Sequence, residues 1–382
     1  MQMADFIKVG IIGIGHMGSG HCQTILSGKV PNMKLAAVAD IKQERRDWAK
    51  KNLPDDIPIF DSDKDLIASG ICDAVMVVVP HYFHPEISIR AMQQGLHVLC
   101  EKPAGVYTRQ VQEMNNVAEK SGKVFAIMFN QRTNPAFIKM HDLVRSGELG
   151  TIKRVNWIIT DWYRTQAYYD SGEWRATWDG EGGGVLLNQC PHQLDLLQWI
   201  CGMPIRVSAH CHIGKWHHIE VEDDVTAYLE YENGATGVFI ASTGDAPGTN
   251  RFEIDLSGGQ LIYADNHLTC YKLKEDERQF MYRCKIGMEK PKGEYIPMII
   301  DADCPEHAGV MRAFAGKILN NTPLVADGRE GIKGLTLSNA IYLSSWLGQM
   351  VNIPFDEAQY LQELNKRREK SVKKEHIKDT QF

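Results

Sequence analysis

A chain of 382 residues is longer than one ordinary hydrophobic core supports, and 43% apolar with 24% charged residues places it among soluble globular proteins, not disordered or fibrous ones. The formal net charge of -6 leaves no excess of Lys and Arg to neutralise a nucleic-acid backbone, and no apolar run reaches membrane-spanning length. The nine cysteines are odd in number, scattered and without a C-x-x-C pair, and "MQMADFIKVGIIGIG" enters a strand pattern without the shape of a signal peptide; the expectation is a cytoplasmic protein with reduced thiols.

From Ile7 to about Phe129, β-branched runs alternate with amphipathic stretches: "KVGIIGIG", "KLAAVAD", "DAVMVVVP", "HVLCEKP" and "KVFAIMFN" read as strands with helices between them. That alternation predicts an α/β domain over 1–129 on a parallel, doubly wound sheet. Directly after the first strand stands Gly13-Ile14-Gly15-His16-Met17-Gly18, a G-x-G-x-x-G in strand-turn-helix context. The first glycine permits the tight turn, the second lets backbone N–H groups approach a pyrophosphate, and the third lets helix and strand pack closely. Asp40 closes the second strand, where a carboxylate accepts from ribose hydroxyls and repels a 2′-phosphate, so NAD is expected over NADP. Arg45 and Arg46 follow and could pair with a 2′-phosphate instead. "HVLCEKP" ends in Glu101-Lys102-Pro103 at the carboxyl end of a strand, where such sheets bind ligands; Lys102 is expected to face the cofactor, held by Pro103 and by a cis bond if one forms.

From Ile152 onward the runs lengthen and alternate, as in "IKRVNWIITDW", "DVTAYLEYENGATGVFIAST" and "NRFEIDLSGGQLIYAD", with Asn-Gly and Gly-Gly punctuating hairpins. They predict a second, α+β domain over 130–365 with a mostly antiparallel sheet, entered through "NPAFIKMHDLVRSGELG" and closed by helices at about 306–320 and 328–348. Residues 366–382 form a charged tail, read as a solvated helix end. Between Trp157 and Trp178 aromatic residues cluster in a polar, glycine-containing segment, and Trp162, Tyr163, Arg164, Trp174 and Arg175 suit the faces and hydroxyls of a sugar.

In "GEGGGVLLNQCPHQLDLLQWICG", Asn188, His192 and Asp195 recur at i, i+4 and i+7 along a helical pattern, although Pro191 either starts the regular helix or removes one of its hydrogen bonds. "AHCHIGKWHHIE" gathers His210, His212, His217 and His218, but only His210 and His212 share a strand face, so no metal is expected. Cys190 reads as a packed thiol.

Together, GIGHMG, Asp40, "VVVPHYFHPEISIRAMQQGLHVLCEKPAG", "GELGTIKRV", "GGGVLLNQCPHQLDLLQWICG" and "VEDDVTAYLEYENGATG" resemble the glucose-fructose oxidoreductase/inositol dehydrogenase/rhizopine-catabolism (Gfo/Idh/MocA) family, up to about Leu347. The resemblance implies a Rossmann domain, a second domain with a large open sheet, NAD(P)-dependent chemistry on sugars and polyols, and a homo-oligomer, dimer or tetramer, packed through that sheet. By it, Lys102 hydrogen-bonds the reacting hydroxyl, His192 is the acid/base and Asp195 its partner, while Asn188 stands where sugar and inositol dehydrogenases commonly have aspartate. The cofactor candidates are Gly13, Gly15, His16, Met17, Gly18, Asp40, Ile41, Arg45, Pro80, His84, Glu101, Lys102 and Asn130; Gln131 joins Lys102, Asn188, His192 and the aromatic segment on the substrate side. The expected activity is NAD-dependent hydride transfer at a ring hydroxyl carbon of a sugar, glycoside or cyclitol. A redox-assisted glycoside lyase or hydrolase with recycled NAD, and a non-catalytic NAD-sensing regulator, are the alternatives.

Overall fold

Short runs of β-branched and small residues form the first sheet, and their burial on both faces is why they read as continuous apolar stretches. The computed structural model describes residues 5–300, 303–372 and 374. In chain order come β1 (Ile7–Ile12), α1 (His16–Leu26), β2 (Met33–Ala39), α2 (Gln43–Asn52), β3 (Ile59–Phe60) and α3 (Asp63–Ala68). Then follow β4 (Ala74–Val77), α4 (Phe83–Gln93), β5 (His97–Cys100), α5 (Thr108–Ser121) and β6 (Phe125–Ile127). The strands are parallel in the order β3-β2-β1-β4-β5-β6, so the winding reverses between β1 and β4. There Gly13 has φ +90°, and a Cβ on it would lie 2.2 Å from the carbonyl oxygen of Val78; only glycine lets the β1 turn pass so close to the chain leaving β4.

The chain next forms α6 (Pro135–Arg145), β7 (Ile152–Ile159), α7 (Gln166–Asp170), α8 (Pro191–Cys201), β8 (Arg206–Ile213), β9 (Glu222–Glu230) and β10 (Thr236–Ser242). After β11 (Asn250–Leu256), β12 (Gly259–Ala264), β13 (His267–Leu273), α9 (Glu277–Arg283) and β14 (Gly293–Ile296) come α10 (Glu306–Asn320), α11 (Gly331–Leu347), β15 (Val351–Asn352) and α12 (Glu357–Arg368). The chain divides into two compact units: one runs to Thr133 and takes up Cys304–Leu335, the other comprises Asn134–Asp303 and the chain from Thr336 on. The helix expected at about 306–320 forms as α10, and its Val310, Met311 and Phe314 lie in the same buried cluster as Val9, Ile11 and Met76 of the first unit.

The second unit holds a nine-stranded sheet in the order β14-β13-β12-β11-β7-β10-β9-β8-β15, in which β7 and β10 are parallel and the other pairings antiparallel. Its strands alternate: Phe252, Ile254 and Leu256 of β11 are buried while the residues between them are not. Register sets Trp157 opposite both Phe239 and Phe252, and the Trp157 and Phe252 rings stack at 4.1 Å.

Pro191 is the first residue of α8, where its missing N–H has no intrahelical partner to lose, and Gly202 ends the helix at φ +86°. Asn188 therefore precedes the helix, in a turn closed by Asn188 N–H to Gly184 O at 2.9 Å and Cys190 N–H to Val185 O at 2.8 Å. The expected three-residue helical stripe reduces to His192 and Asp195. That turn hangs on the buried carboxylate of Glu222, which accepts from Gly184 N–H at 3.0 Å, Leu186 N–H at 2.9 Å and the Tyr342 hydroxyl at 2.6 Å. A Cβ at Gly184 would lie 1.9 Å from Glu222 O, and one at Gly183 2.1 Å from the Tyr342 hydroxyl oxygen, which accounts for the glycine run. Among the described residues no helix is long and apolar enough to cross a membrane, and the cysteines are free thiols.

Burial pushes the Glu222 carboxyl up to about 7, against the pull of Tyr342 and the loop amides toward the ionised form. Because the folded value exceeds the unfolded one, the stability this group contributes is complete below the ordinary carboxylate range and is lost as pH rises through about 7. Glu222→Gln, which cannot ionise, is expected to flatten the fall in Tm between roughly pH 5 and pH 8 relative to the native chain, a difference on the order of 1–3 kcal/mol by thermal unfolding across that range.

Candidate functional site

The first unit is laid out for a dinucleotide at the end of β1. Gly18 packs α1 onto the turn, since a Cβ there would sit 1.9 Å from Gly13 O. Gly15 is different: its φ of -63° suits any residue, and a Cβ would meet nothing within 4 Å. Neither backbone conformation nor packing requires glycine there, and α1 has no side-chain cap, so the open space before its first amides fits an anionic phosphate. His16 and Met17 begin that helix and are exposed. Asp40 is fixed by Ile14 N–H and Lys42 N–H, each at 2.9 Å. Arg46 is spent on the carbonyls of Asp40 and Ile41 at 2.8 Å and on Gln43, and Arg45 lies 3.8 Å from Glu44. Beside Asp40, Ile41 is 79% exposed. Asn130, just after β6, is buried, and its side-chain oxygen has no hydrogen-bond partner among the described residues, which fits a donor on a ligand.

The Lys102–Pro103 bond is cis. Behind Lys102, buried Glu101 accepts from Lys102 N–H at 3.1 Å and meets His21 Nε2 of α1 at 2.6 Å. His307 of α10 lies 5.4 Å, ring to ring, from His21. Burial alone would raise the Glu101 carboxyl; the His21 hydrogen bond and the positive fields of His21, Lys102 and His307 outweigh it and leave the group at about 2. His84, a cofactor candidate, braces two loops: its ring nitrogens lie 2.7 Å from Pro103 O and 2.7 Å from Val79 O, next to the half-buried Pro80. Gln131 is half-buried in the 3-10 turn Asn130–Thr133.

In the second unit the aromatic segment converges on Tyr168. Its hydroxyl accepts from Arg175 at 2.9 Å and Gln189 at 3.1 Å, and the guanidinium groups of Arg164 and Arg175 lie over its ring at 5.0 and 4.6 Å. Arg164 also lies over Trp162, and Arg175 over Trp174. Tyr163 is half-exposed and joins only through its carbonyl, which accepts from Arg164 at 2.9 Å. Trp157 and Trp178, by contrast, belong to the core. Asn188 donates through Nδ2 to the buried carboxylate of Glu181, whose other oxygen accepts from Ala176 N–H at 2.5 Å and holds Ala176 at φ +53°. A carboxylate only accepts, so the Asn188 amide turns its NH₂ toward Glu181 and its oxygen away. His192 is half-buried at the start of α8; Asp195 is buried and accepts from Gln198 at 3.0 Å.

Sequence reasoning missed Glu181, Gln189, Glu222 and His21, each of which acts through a distant partner; the buried acids of "GEGGG" and "VEDD" were the available signal. The histidine cluster is scaffold: His217 lies between Asp223 at 2.9 Å and Arg164 O at 2.9 Å, and His212 pairs with Asp224 at 2.7 Å.

Two family models match this chain: the oxidoreductase family, NAD-binding Rossmann fold, over residues 7–129, and the GFO/IDH/MocA C-terminal domain over residues 137–262. The chain is 25% identical over 376 residues to the D-glucoside 3-dehydrogenase of Escherichia coli strain K12, spanning 91% of this chain and 97% of that protein. It is 25% identical over 244 residues to the scyllo-inositol 2-dehydrogenase (NAD(+)) of Bacillus subtilis strain 168, spanning 63% of this chain and 68% of that protein. Among solved structures, the WlbA dehydrogenase from Bordetella pertussis in complex with NADH and UDP-GlcNAcA superposes with a TM-score of 0.78 at 25% identity, covering 92% of this chain and all of that one (100%).

The Glu181–Asn188 pair generates a prediction independent of any substrate. Asn188→Asp sets a second carboxylate against a buried one and is expected to cost roughly 1–3 kcal/mol at pH 8, read as a lower Tm, with part recovered as pH falls and one group takes a proton. Adding Glu181→Gln should restore the Tm by supplying an amide donor to the new aspartate.

Proposed function

The chain belongs to the Gfo/Idh/MocA oxidoreductase family, and we propose that it is an NAD-dependent dehydrogenase acting at a ring hydroxyl carbon of a sugar, glycoside or cyclitol. The observation that carries this reading is a lysine, Lys102, directly after β5 of the sheet on which the Gly13–Gly18 turn and Asp40 are set out for a dinucleotide. The turn holds the pyrophosphate, Asp40 the adenosine ribose with Ile41 beside it, and Asn130 meets a donor of the ligand. Bound NAD supplies the hydride acceptor. NAD is favoured over NADP because Arg46 is committed to backbone carbonyls and leaves the Asp40 carboxylate to repel a 2′-phosphate.

Lys102 donates to the reacting hydroxyl and His192 takes its proton, with Asp195 beneath it on the same helix. Glu101 keeps the field around Lys102 negative, so the lysine acts as a charged donor and leaves proton acceptance to the imidazole, whose ordinary pKa suits it. Trp162, Tyr163, Arg164, Trp174, Arg175, Asn188 and Gln131 contact the substrate. The likeness to a D-glucoside 3-dehydrogenase over most of the chain supports placing glycosides first. Family resemblance supports a homo-oligomer through the nine-stranded sheet.

The test is NADH absorbance with a panel of glycosides, free sugars and cyclitols, run with NAD and NADP in parallel. NADH should accumulate with at least one glycoside or cyclitol and faster with NAD; cleavage of a glycoside without net NADH would replace dehydrogenation by the redox-assisted lyase. With a substrate in hand, His192→Ala should lose roughly 10²- to 10⁴-fold in kcat, the scale of a general base. Lys102→Met, which keeps the stem and deletes the charge, should lose turnover steeply while NAD titration by fluorescence stays unchanged. Near-normal turnover in either variant removes that residue from the mechanism.

A further inference from the structure

Of the charged C-terminal stretch expected to be a solvated helix end, residues 373 and 375–382 lie outside the described residues, and the described part is fastened to the substrate loop of its own unit. Arg368, the last residue of α12, donates through Nε and Nη2 to Asp179 Oδ1 at 3.0 and 2.8 Å. Ser371 donates to Glu220 and accepts from Asp179 N–H at 3.3 Å, and Val372 N–H reaches Glu220 at 3.1 Å. Glu220 in turn accepts from Trp178 N–H at 2.7 Å, so one carboxylate bridges loop and tail. Lys374 donates to Tyr169 O at 2.5 Å, within the fields of Glu181, Asp170 and Glu220 and of the like-charged Arg175.

These contacts fall on the second part of the loop over residues 165–181. Its first part is held from the sheet side, by Arg164 N–H to Thr243 O at 2.9 Å, the Tyr169 hydroxyl to Thr243 at 2.7 Å and His218 N–H to Gln166 at 2.9 Å. Its second part has no regular structure and passes through Ala176 at φ +53°. There the backbone N–H groups of Trp178 and Asp179 are satisfied by Glu220 and Ser371. We propose that Arg368–Val372 together with Lys374 is a strap that positions the Tyr168–Trp174–Arg175 wall and so sets substrate affinity, with Arg368, Ser371, Lys374 and Glu220 as positioning residues. The second half of that statement rests on the proposed function; the first does not. The Arg368–Asp179 pair is solvent-accessible, so each tie is weak and the strap acts as a sum.

The experiment uses the full-length chain carrying Arg368→Ala, Ser371→Ala and Lys374→Ala together, with two readouts. Amide hydrogen exchange over residues 168–182 should quicken while exchange in β1 and β4 does not change. KM for the sugar should rise about tenfold, the effect of roughly 1.4 kcal/mol of lost positioning, with kcat and NAD affinity near native values. The exchanged pair Arg368→Asp with Asp179→Arg should recover most of what Arg368→Asp alone loses, which separates a specific tie from general damage. Unchanged exchange in the loop overturns the strap, and faster exchange with native KM overturns its link to substrate. A native chain that oxidises no sugar, with exchange still quickened in the triple variant, overturns the functional reading and supports the strap.

Discussion

The buried carboxylate of Glu222 carries the glycine loop that leads into α8. Taking a carboxylate out of water is costly, and it is tolerated here because Gly184, Leu186 and Tyr342 all donate to it. Its own carbonyl accepts from Val185 N–H at 3.1 Å, so β9 and α11 grip the glycine loop together. From that loop the chain runs through Asn188 and Gln189 to Pro191, which starts α8 with His192 next. The following residue does the same for a second loop. Asp223 is fully buried and gathers the N–H groups of Lys215, Trp216 and His217, and His217 then reaches the Arg164 carbonyl. Successive side chains of a strand point to opposite sides, so two adjacent acids at the start of β9 organise two separate loops.

The cofactor unit solves a similar problem with the opposite sign of neighbour. Glu101 is buried next to Lys102 and faces two histidines from helices far apart in the chain, α1 and α10. The hydrogen bond from His21, with Lys102 beside it, holds it ionised against its burial, and an ionised Glu101 favours an ammonium on Lys102. A charged lysine is a strong donor and a poor base. In the proposed reaction this divides the labour: polarisation to Lys102 and proton acceptance to His192.

What was legible in the sequence was whatever is encoded within a few residues. The strand, the G-x-G-x-x-G turn, Asp40 and the Glu101-Lys102-Pro103 end of β5 are local patterns with fixed physical meanings, and the second sheet announced itself through alternation and hairpin glycines. Apolar periodicity cannot say which core a helix joins, which is why α10's packing beside Val9 and Met76 needed coordinates. β3 and β15 are two residues long and carry no periodic signal. At the site, the roles of Glu181 and Glu222 did not show in the sequence, because their partners lie 5 to 120 residues away and Glu181, set among glycines, looks like part of a solvated loop. The spacing set Asn188 on a helical face, and of the two readings that Pro191 left open the structure takes the first: Pro191 starts the helix, past Asn188.

In the proposed function the side chains gathered around Tyr168 set the kind of ligand preferred. Glu181 fixes Asn188 with its amide oxygen turned away from the carboxylate. The Tyr168 hydroxyl accepts from Arg175 and Gln189. Trp162 and Trp174 add apolar faces, and their arginines add further donors at the edges. A ligand suited to such a surface must donate and accept at neighbouring positions and present an apolar face between them. A polyhydroxylated ring does all of this, since each hydroxyl is both donor and acceptor and its axial C–H groups form the apolar face. In the proposed function a simple aliphatic alcohol, with one hydroxyl, would meet fewer of these groups than a sugar ring, whose several hydroxyls each donate and accept.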